Sequence, residues 1–197
     1  MIISATILAA GRSSRMEDEN KLLLPIQGSL VINQVCNTIL NSGLKPVIVV
    51  TGFEHKKIEK ALPKSIDQII HNSEWEQGMA GSIYAGMSLL PDNVDGNMIV
   101  LGDMPLITIQ TLEKLIEKFC NFEGQYIIYP VHAGRQANPV IFPRKYFKDI
   151  LSSTGDKGCK KVLKQYPDDA VPVPVDSNEV ILDCDTKDEY FQMIKQN

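Results

Sequence analysis

The chain has 197 residues, 44% of them hydrophobic and 22% charged. That is enough for one well-formed core and short of two independent domains, so a single domain over 1–197 is expected. The formal net charge of −4 excludes the broad basic face that sequence-independent nucleic-acid binding needs.

A strand is predicted over 2–8, entered directly from Met1 with no basic leader. A helix over 30–40 carries apolar residues at Leu30, Val31, Val35, Ile39 and Leu40, a helical stripe, and Asn41-Ser42-Gly43 stops it. The β-branched run 46–50 predicts a central strand. A helix over 54–62 ends at Pro63, and a short strand follows at 68–70. A third helix covers 80–90, then a strand 97–101, then a helix 108–119 with Thr108 as its N-cap. Strands at 126–129 and 139–142 come next. A helix over 156–165, strands at 170–175 and 180–182, and a helix over 186–194 complete the chain. This alternation predicts an α/β fold, a mostly parallel sheet with helices on both faces.

No apolar run reaches the ~20 residues that span a bilayer. The four cysteines, Cys36, Cys120, Cys159 and Cys184, contain no Cys-x-x-Cys pair, which argues against structural zinc. Cys36 and Cys120 stand among apolar residues and read as small core residues. A cytoplasmic protein with reduced thiols, no membrane contact and no nucleic-acid partner is expected.

In such sheets ligands bind beyond the carboxyl ends of the strands, so the loops there carry the chemistry. After the first strand comes Leu8-Ala9-Ala10-Gly11-Arg12-Ser13-Ser14-Arg15-Met16, with Lys21 beyond. Small residues let backbone N–H groups approach a ligand, and such a turn makes an anion-holding concavity. Arg15 and Lys21 add a planar and a point-like positive charge, both suited to phosphate oxygens. The spacing is neither a Walker A loop nor GxGxxG, and a solvated basic loop is the competing reading.

After the strand at 97–101 comes Gly102-Asp103-Met104-Pro105. A carboxylate held there beside phosphate oxygens suits Mg²⁺, which keeps waters and takes few protein ligands; a turn aspartate bonded to its own backbone is the alternative. Between these stretches, Gly78-Met79-Ala80-Gly81-Ser82 opens a helix whose N–H groups could hold a base edge or a phosphate. Trp75 is either a stacking platform or a half-buried anchor. Near the end, Asp183 and Asp185 share one face of an extended segment and Cys184 the other; one of the two acids could join Asp103 on a metal. His55, His71 and His132 read as surface or strand-end residues.

Taken together, "LAAGRSSRM" with Lys21, "GMAGS", "LGDMP", "NPVIF", "GDKGCKKVL" and "DCDTKDEY" resemble the MobA-like nucleotidyltransferases, in particular their molybdenum cofactor cytidylyltransferase branch. The resemblance runs in order over almost the whole chain. It implies a three-layer α/β/α Rossmann-like fold of the nucleotide-diphospho-sugar transferase type. It also implies transfer of CMP from CTP, in preference to GTP, to molybdopterin carrying molybdenum, with Mg²⁺ and release of pyrophosphate. By position, Leu8, Ala9, Ala10, Gly11, Arg12, Ser13, Arg15 and Lys21 would hold the triphosphate and ribose. Gly78 to Ser82, including Met79, Ala80 and Gly81, would border the base. Gly102 and Asp103 would face the phosphates, with Lys21, Arg15 and Asp103 catalytic and Asp103 and Asp183 on the metal. Gly155 to Leu163, with Gly155, Asp156 and Gly158, would face the acceptor, and Asn138 and Pro139 would also be substrate-binding. The chain departs from the family pattern at Glu17, at Ala137 and at Cys159-Lys160. The alternatives are a sugar-phosphate or alcohol-phosphate acceptor, or a non-catalytic cofactor chaperone that serves a molybdenum hydroxylase.

Overall fold

The structure, a computed structural model, describes residues 1–12, 19–155 and 159–195. It begins with β1 (Ile3–Ala9). A small antiparallel pair, β2 (Pro25–Ile26) and β3 (Ser29–Leu30), leads into α1 (Val31–Asn41). Then follow β4 (Val47–Thr51), α2 (His55–Ala61), β5 (Gln68–His71), α3 (Met79–Met87), β6 (Gly96–Leu101) and α4 (Ile109–Asn121). The remainder is β7 (Ile127–His132), β8 (Arg135–Gln136), β9 (Val140–Pro143), α5 (Phe147–Leu151), α6 (Lys160–Gln165), β10 (Ala170–Pro174) and α7 (Lys187–Lys195).

The large sheet has the order β10-β7-β9-β6-β1-β4-β5, with β8 pairing off β7. β1 lies in the middle, parallel to β4 on one side and β6 on the other, with Ala9 level with Thr51 and Leu8 level with Leu101. Only β8 and β9 run against the rest: β9 pairs antiparallel with β6 and β7. β10 lies at an edge, where Pro172 and Pro174 remove no ladder bond the sheet needs.

The alternation along β1 explains its place. Ile3, Ala5 and Ile7 are buried in the core under α1 and α4, together with Met98 and Val100 of β6. Ser4 and Thr6 face the other way, where both hydroxyls meet Asn97 Oδ1, at 2.8 and 3.2 Å. α3 crosses that face at Gly86. A Cβ there would stand 2.5 Å from Thr6 Cγ2 and 2.8 Å from Val50 Cγ2, so the helix approaches the sheet only because no side chain intervenes. The second core, on this face, gathers Ile83, Ile99, Val140 and Phe142. Two cores on one sheet make three layers.

Most predicted elements form, and Thr108 caps α4 as expected, its side chain accepting from Thr111 N at 3.3 Å. Three expectations are corrected. Residues 180–182 form no strand: a 3-10 turn spans Asn178–Val180, held by Ser177 at its start. Cys120 is exposed, not core; the buried stripe of α4 ends on Phe119, and the next residue is turned about 100° away. The segment 144–151, for which no element was expected, forms a 3-10 turn and α5. Of the helix expected over 156–165, Lys160–Gln165 is helical and 156–158 lie outside the described residues. Among the described residues no helix is long and apolar enough to cross a membrane.

Candidate active site

A cleft of about 700 Å³ opens past the carboxyl ends of β1 and β6, where the parallel topology predicts it. One wall is the loop after β1. Leu8, Ala9, Ala10, Gly11 and Arg12 all line it; Ala9 and Ala10 are buried, Gly11 and Arg12 exposed. Phe53 N donates to Ala10 O at 3.0 Å, which ties this loop to the turn after β4. The Arg12 guanidinium stands 5.6 Å over the Phe53 ring, and Phe53 meets Trp75 edge-on at 5.6 Å. Trp75 is thus a half-buried anchor on the cleft wall. The expected contributions of Ser13 and Arg15 lie outside the described residues.

The opposite wall is charged. Lys21 sits on a short 3-10 turn, Lys21–Leu23, capped by Asn20, whose side chain accepts from Leu22 N at 3.2 Å. Leu22 is buried and fixes the turn. From there the Lys21 ammonium donates to Asp103 Oδ2 at 2.5 Å and to Asp185 Oδ1. Burial alone would lower its pKa. The charge and hydrogen bond of Asp103, then those of Asp185, outweigh burial, and the pKa is raised.

Asp103 follows Gly102, whose N–H donates to Leu8 O at 2.9 Å. A Cβ on Gly102 would lie 2.8 Å from that same carbonyl oxygen, so glycine is what lets the turn fold back against β1. Cys184 N donates to Asp103 O at 2.9 Å. This one backbone bond brings the C-terminal acids to the turn after β6. Cys184 is buried while Asp183 and Asp185 line the cleft, so the expected alternation survives without a strand. Thr186 caps α7, accepting from Glu189 N at 3.2 Å and donating to Glu189 Oε2 at 2.9 Å.

Among the described residues, Asp103, Asp183 and Asp185 converge around the Lys21 ammonium. Asp183 makes no hydrogen bond among the described residues. Burial first, then the charges of Asp185 and Asp103, raise its pKa, partly offset by Lys21. Asp103 Oδ1 is buried and has no hydrogen-bond partner among the described residues. No three His, Cys, Asp or Glu among the described residues form a preformed cage. Such a carboxylate oxygen, beside a second acid that makes no hydrogen bond among the described residues, nevertheless fits a divalent cation that draws its other ligands from water and phosphate.

The third side is the start of α3. Gly78, Met79 and Ser82 line the cleft. Ser82 accepts from Asn72 Nδ2 at 3.1 Å. Ala80 is buried, and its N–H donates to Gly155 O at 3.1 Å, which brings the segment at 155 against the helix start. Gly81, which is exposed, and Gly102 and Pro139, which are buried, are not among the lining residues. Asn138 lines the cleft; Asp156 and Gly158 lie outside the described residues. None of the three histidines lines it: His55 and His71 stack on each other 3.9 Å apart, and His132 bonds Val175 O. Sequence reading did not find the Phe53 ring, the Asn20 cap or the Lys21–Asp185 contact. Asn before a lysine and an apolar run was the one available signal for the cap.

The arrangement is that of a nucleotide-handling α/β enzyme. The MobA-like NTP transferase domain matches residues 5–171, and the chain belongs to that family; it is a nucleotidyltransferase. It is 27% identical over 191 residues to the molybdenum cofactor cytidylyltransferase of Escherichia coli K12, covering 96% of this chain and 94% of that protein. The bifunctional protein GlmU of Bacillus mycoides is 30% identical over 115 residues, and there the chain spans only 25% of the longer protein. Among solved structures, Rv0371c of Mycobacterium tuberculosis H37Rv superposes with a TM-score of 0.86 at 24% identity, covering 98% of this chain and 97% of that one. Its complex with manganese gives 0.84 at 23% identity, over the whole of both chains. CMP:2-keto-3-deoxy-manno-octonic acid synthetase complexed with CTP gives 0.80 at 14% identity, over 100% and 98%. The fold is the Rossmann-like nucleotide-diphospho-sugar transferase fold.

Proposed function

We propose that this nucleotidyltransferase transfers CMP from CTP to molybdopterin carrying molybdenum and releases pyrophosphate. The observation that carries the reading is the convergence of Lys21, Asp103, Asp183 and Asp185 on one cleft, facing the small-residue loop 8–12. The E. coli relative supports this acceptor, since its match spans nearly all of both chains. A cytidine nucleotide is supported by that relative's name and by the CTP-bound structural neighbour.

In this reading the loop amides at Ala9 to Gly11 cradle the triphosphate, and Gly78 to Ser82 border the base. Asn138 and the segment from Gly155 face the acceptor. An acceptor phosphate oxygen attacks the α-phosphorus in line; the new P–O bond forms as the bond to the leaving pyrophosphate breaks. A phosphate monoester is largely ionised at neutral pH (second pKa ≈ 6), so no side chain has to take a proton. Lys21, with Arg15, balances charge on the transferring and leaving groups. Asp103 and Asp183 are the carboxylates proposed to hold a divalent metal, Mg²⁺ in this reading, which when bound supplies charge neutralisation at the phosphate oxygens. Asp103 is engaged with Lys21 through Oδ2 alone, which leaves its buried Oδ1 for the metal, and Asp183 makes no hydrogen bond among the described residues.

Asp103→Ala tests the site. Metal-dependent pyrophosphate release should disappear while the circular-dichroism spectrum is kept. Full metal-dependent activity in that variant would remove Asp103 from the reaction.

A further inference from the structure

Beside the cleft lies a second cavity of about 270 Å³. The two share Met79, Leu101 and Asn138 as their common wall. The floor of this chamber is the sheet face carrying Ile99 of β6 and Val140 and Phe142 of β9, with Ile99 and Val140 directly paired across the ladder. α3 supplies Ile83, and Cys159 and Leu163 close the far side. Among the described residues no charged one lines it; Gln136 and Asn138 are the polar members. Burial pushes the Cys159 thiol up to about 12, so it too is neutral.

The contrast with the neighbouring cleft is chemical. The cleft gathers carboxylates and an ammonium, and suits phosphates with their counter-ion. The chamber offers apolar faces and two neutral amides. A sugar would present hydroxyls to Ile99, Val140 and Phe142 and lose their hydrogen bonds to water without replacement. A flat ring system with polar atoms confined to its edge loses nothing on those faces. Size narrows the choice further. Pockets for drug-sized ligands measure about 300–1,000 Å³, so a chamber of about 270 Å³ suits one small ring system.

We propose that this chamber seats the uncharged ring system of the acceptor, with Gln136 and Asn138 reading its edge, and so selects flat heteroaromatic acceptors over polyhydroxylated ones. The proposal rests on the pterin acceptor inferred above and deepens it: the chamber becomes the specificity element, separate from the charged cleft that performs transfer.

The test uses 6-hydroxymethylpterin, a fluorescent pterin that carries neither phosphate nor metal, titrated against the whole protein. Saturable binding is expected. Cys159→Trp fills the chamber from its half-exposed side and should weaken binding at least about tenfold, while the KM for CTP stays within about twofold. Gln136 is exposed, so Gln136→Ala should fold regardless; it should weaken pterin binding about three- to tenfold. Glucose 1-phosphate, the polyol probe, should not displace the pterin. Absence of pterin binding, binding untouched by both substitutions, or displacement by glucose 1-phosphate at equal concentration overturns the chamber, whether or not molybdopterin is turned over. Pterin binding that both substitutions weaken supports the chamber even if molybdopterin proves not to be a substrate, in which case only the proposed acceptor falls.

Discussion

Lys21 Nζ and Asp103 Oδ2 lie 2.5 Å apart across 82 residues of sequence. The same ammonium reaches Asp185, 164 residues away. A 3-10 turn after β1, the turn after β6 and the approach to α7 are thereby fastened at one point. The positive charge occupies the place where the acids of the cleft converge.

Removing that charge should therefore do two things at once. In Lys21→Met the acids are left without their ammonium, so the nucleotide-free protein should bind Mn²⁺ more tightly than the parent, read by electron paramagnetic resonance. Turnover should fall about 10²–10³-fold, since Lys21 is proposed also to stabilise charge on the phosphates. Unchanged Mn²⁺ affinity would mean that Lys21 does not shield the carboxylates.

Gly102→Ala probes the same point through the backbone. The new methyl would meet Leu8 O at 2.8 Å and Ile32 Cδ1 at 3.2 Å. Neither backbone β1 nor the buried Ile32 can give way freely, so the turn bearing Asp103 must shift. Overpacking of this kind costs about 1–3 kcal/mol, a fall of about 2–12 °C in Tm for a chain of this size. Displacing Asp103 should lower kcat/KM further, up to about 10²-fold. A variant with reduced Tm but parental kcat/KM would show that Asp103 need not sit where it does.

Glu179 gives a prediction about the fold alone. This buried carboxylate accepts from Thr108 N at 3.2 Å, Thr108 Oγ1 at 2.9 Å and Ser177 Oγ at 3.1 Å, joining the cap of α4 to the turn at 177–180. Glu179→Ala leaves these donors unpaired, at about 1–3 kcal/mol. The expected result in thermal melting is a Tm lower by about 2–12 °C with the KM for CTP unchanged.

Glu179 also marks the limit of what the sequence discloses. The strand β4 was legible because the β-branched run Val47 to Val50, with no polar interruption, has one use in an α/β protein, a strand buried on both faces. Asp103 was legible because an acid after such a strand, between Gly and Pro, has a known position relative to the sheet. The strand expected at 180–182 was not decided by its own residues. Val180 is apolar and buried as a strand residue would be, but Ser177 and Glu179 bind the turn to α4 instead. Similarly, the alternation of Asp183, Cys184 and Asp185 was read correctly while its support was not, since that is a backbone bond from Cys184 to Asp103. Long-range partners of this kind leave no periodicity to detect. Cys120 was misplaced for the opposite reason: its apolar neighbours belong to a different face of α4.

A pH dependence follows from the contact of Asp169 with Tyr146 and Lys145. The hydrogen bond from the Tyr146 hydroxyl, then that from Lys145 Nζ at 3.2 Å, lowers the Asp169 pKa. A depressed carboxylate stabilises the fold above its unfolded value of about 3.9, and that contribution is lost as pH falls through the lower folded value. Asp169→Asn should lower Tm at neutral pH by no more than about 2–4 °C, one hydrogen bond's worth. The gap between variant and parent should close as the pH falls below 3.9 toward and through the lowered folded value. A gap that stays constant down to pH ~2 would contradict this reading.

The central claim is that the charged cleft transfers a cytidylyl group to a pterin-bearing acceptor. The most direct measurement is pyrophosphate release by the purified protein with Mg²⁺, comparing CTP with GTP, each with and without molybdenum-loaded molybdopterin. The account predicts release with CTP only when the acceptor is present, and markedly less with GTP. Release that is independent of molybdopterin, or its absence with every combination, would contradict it.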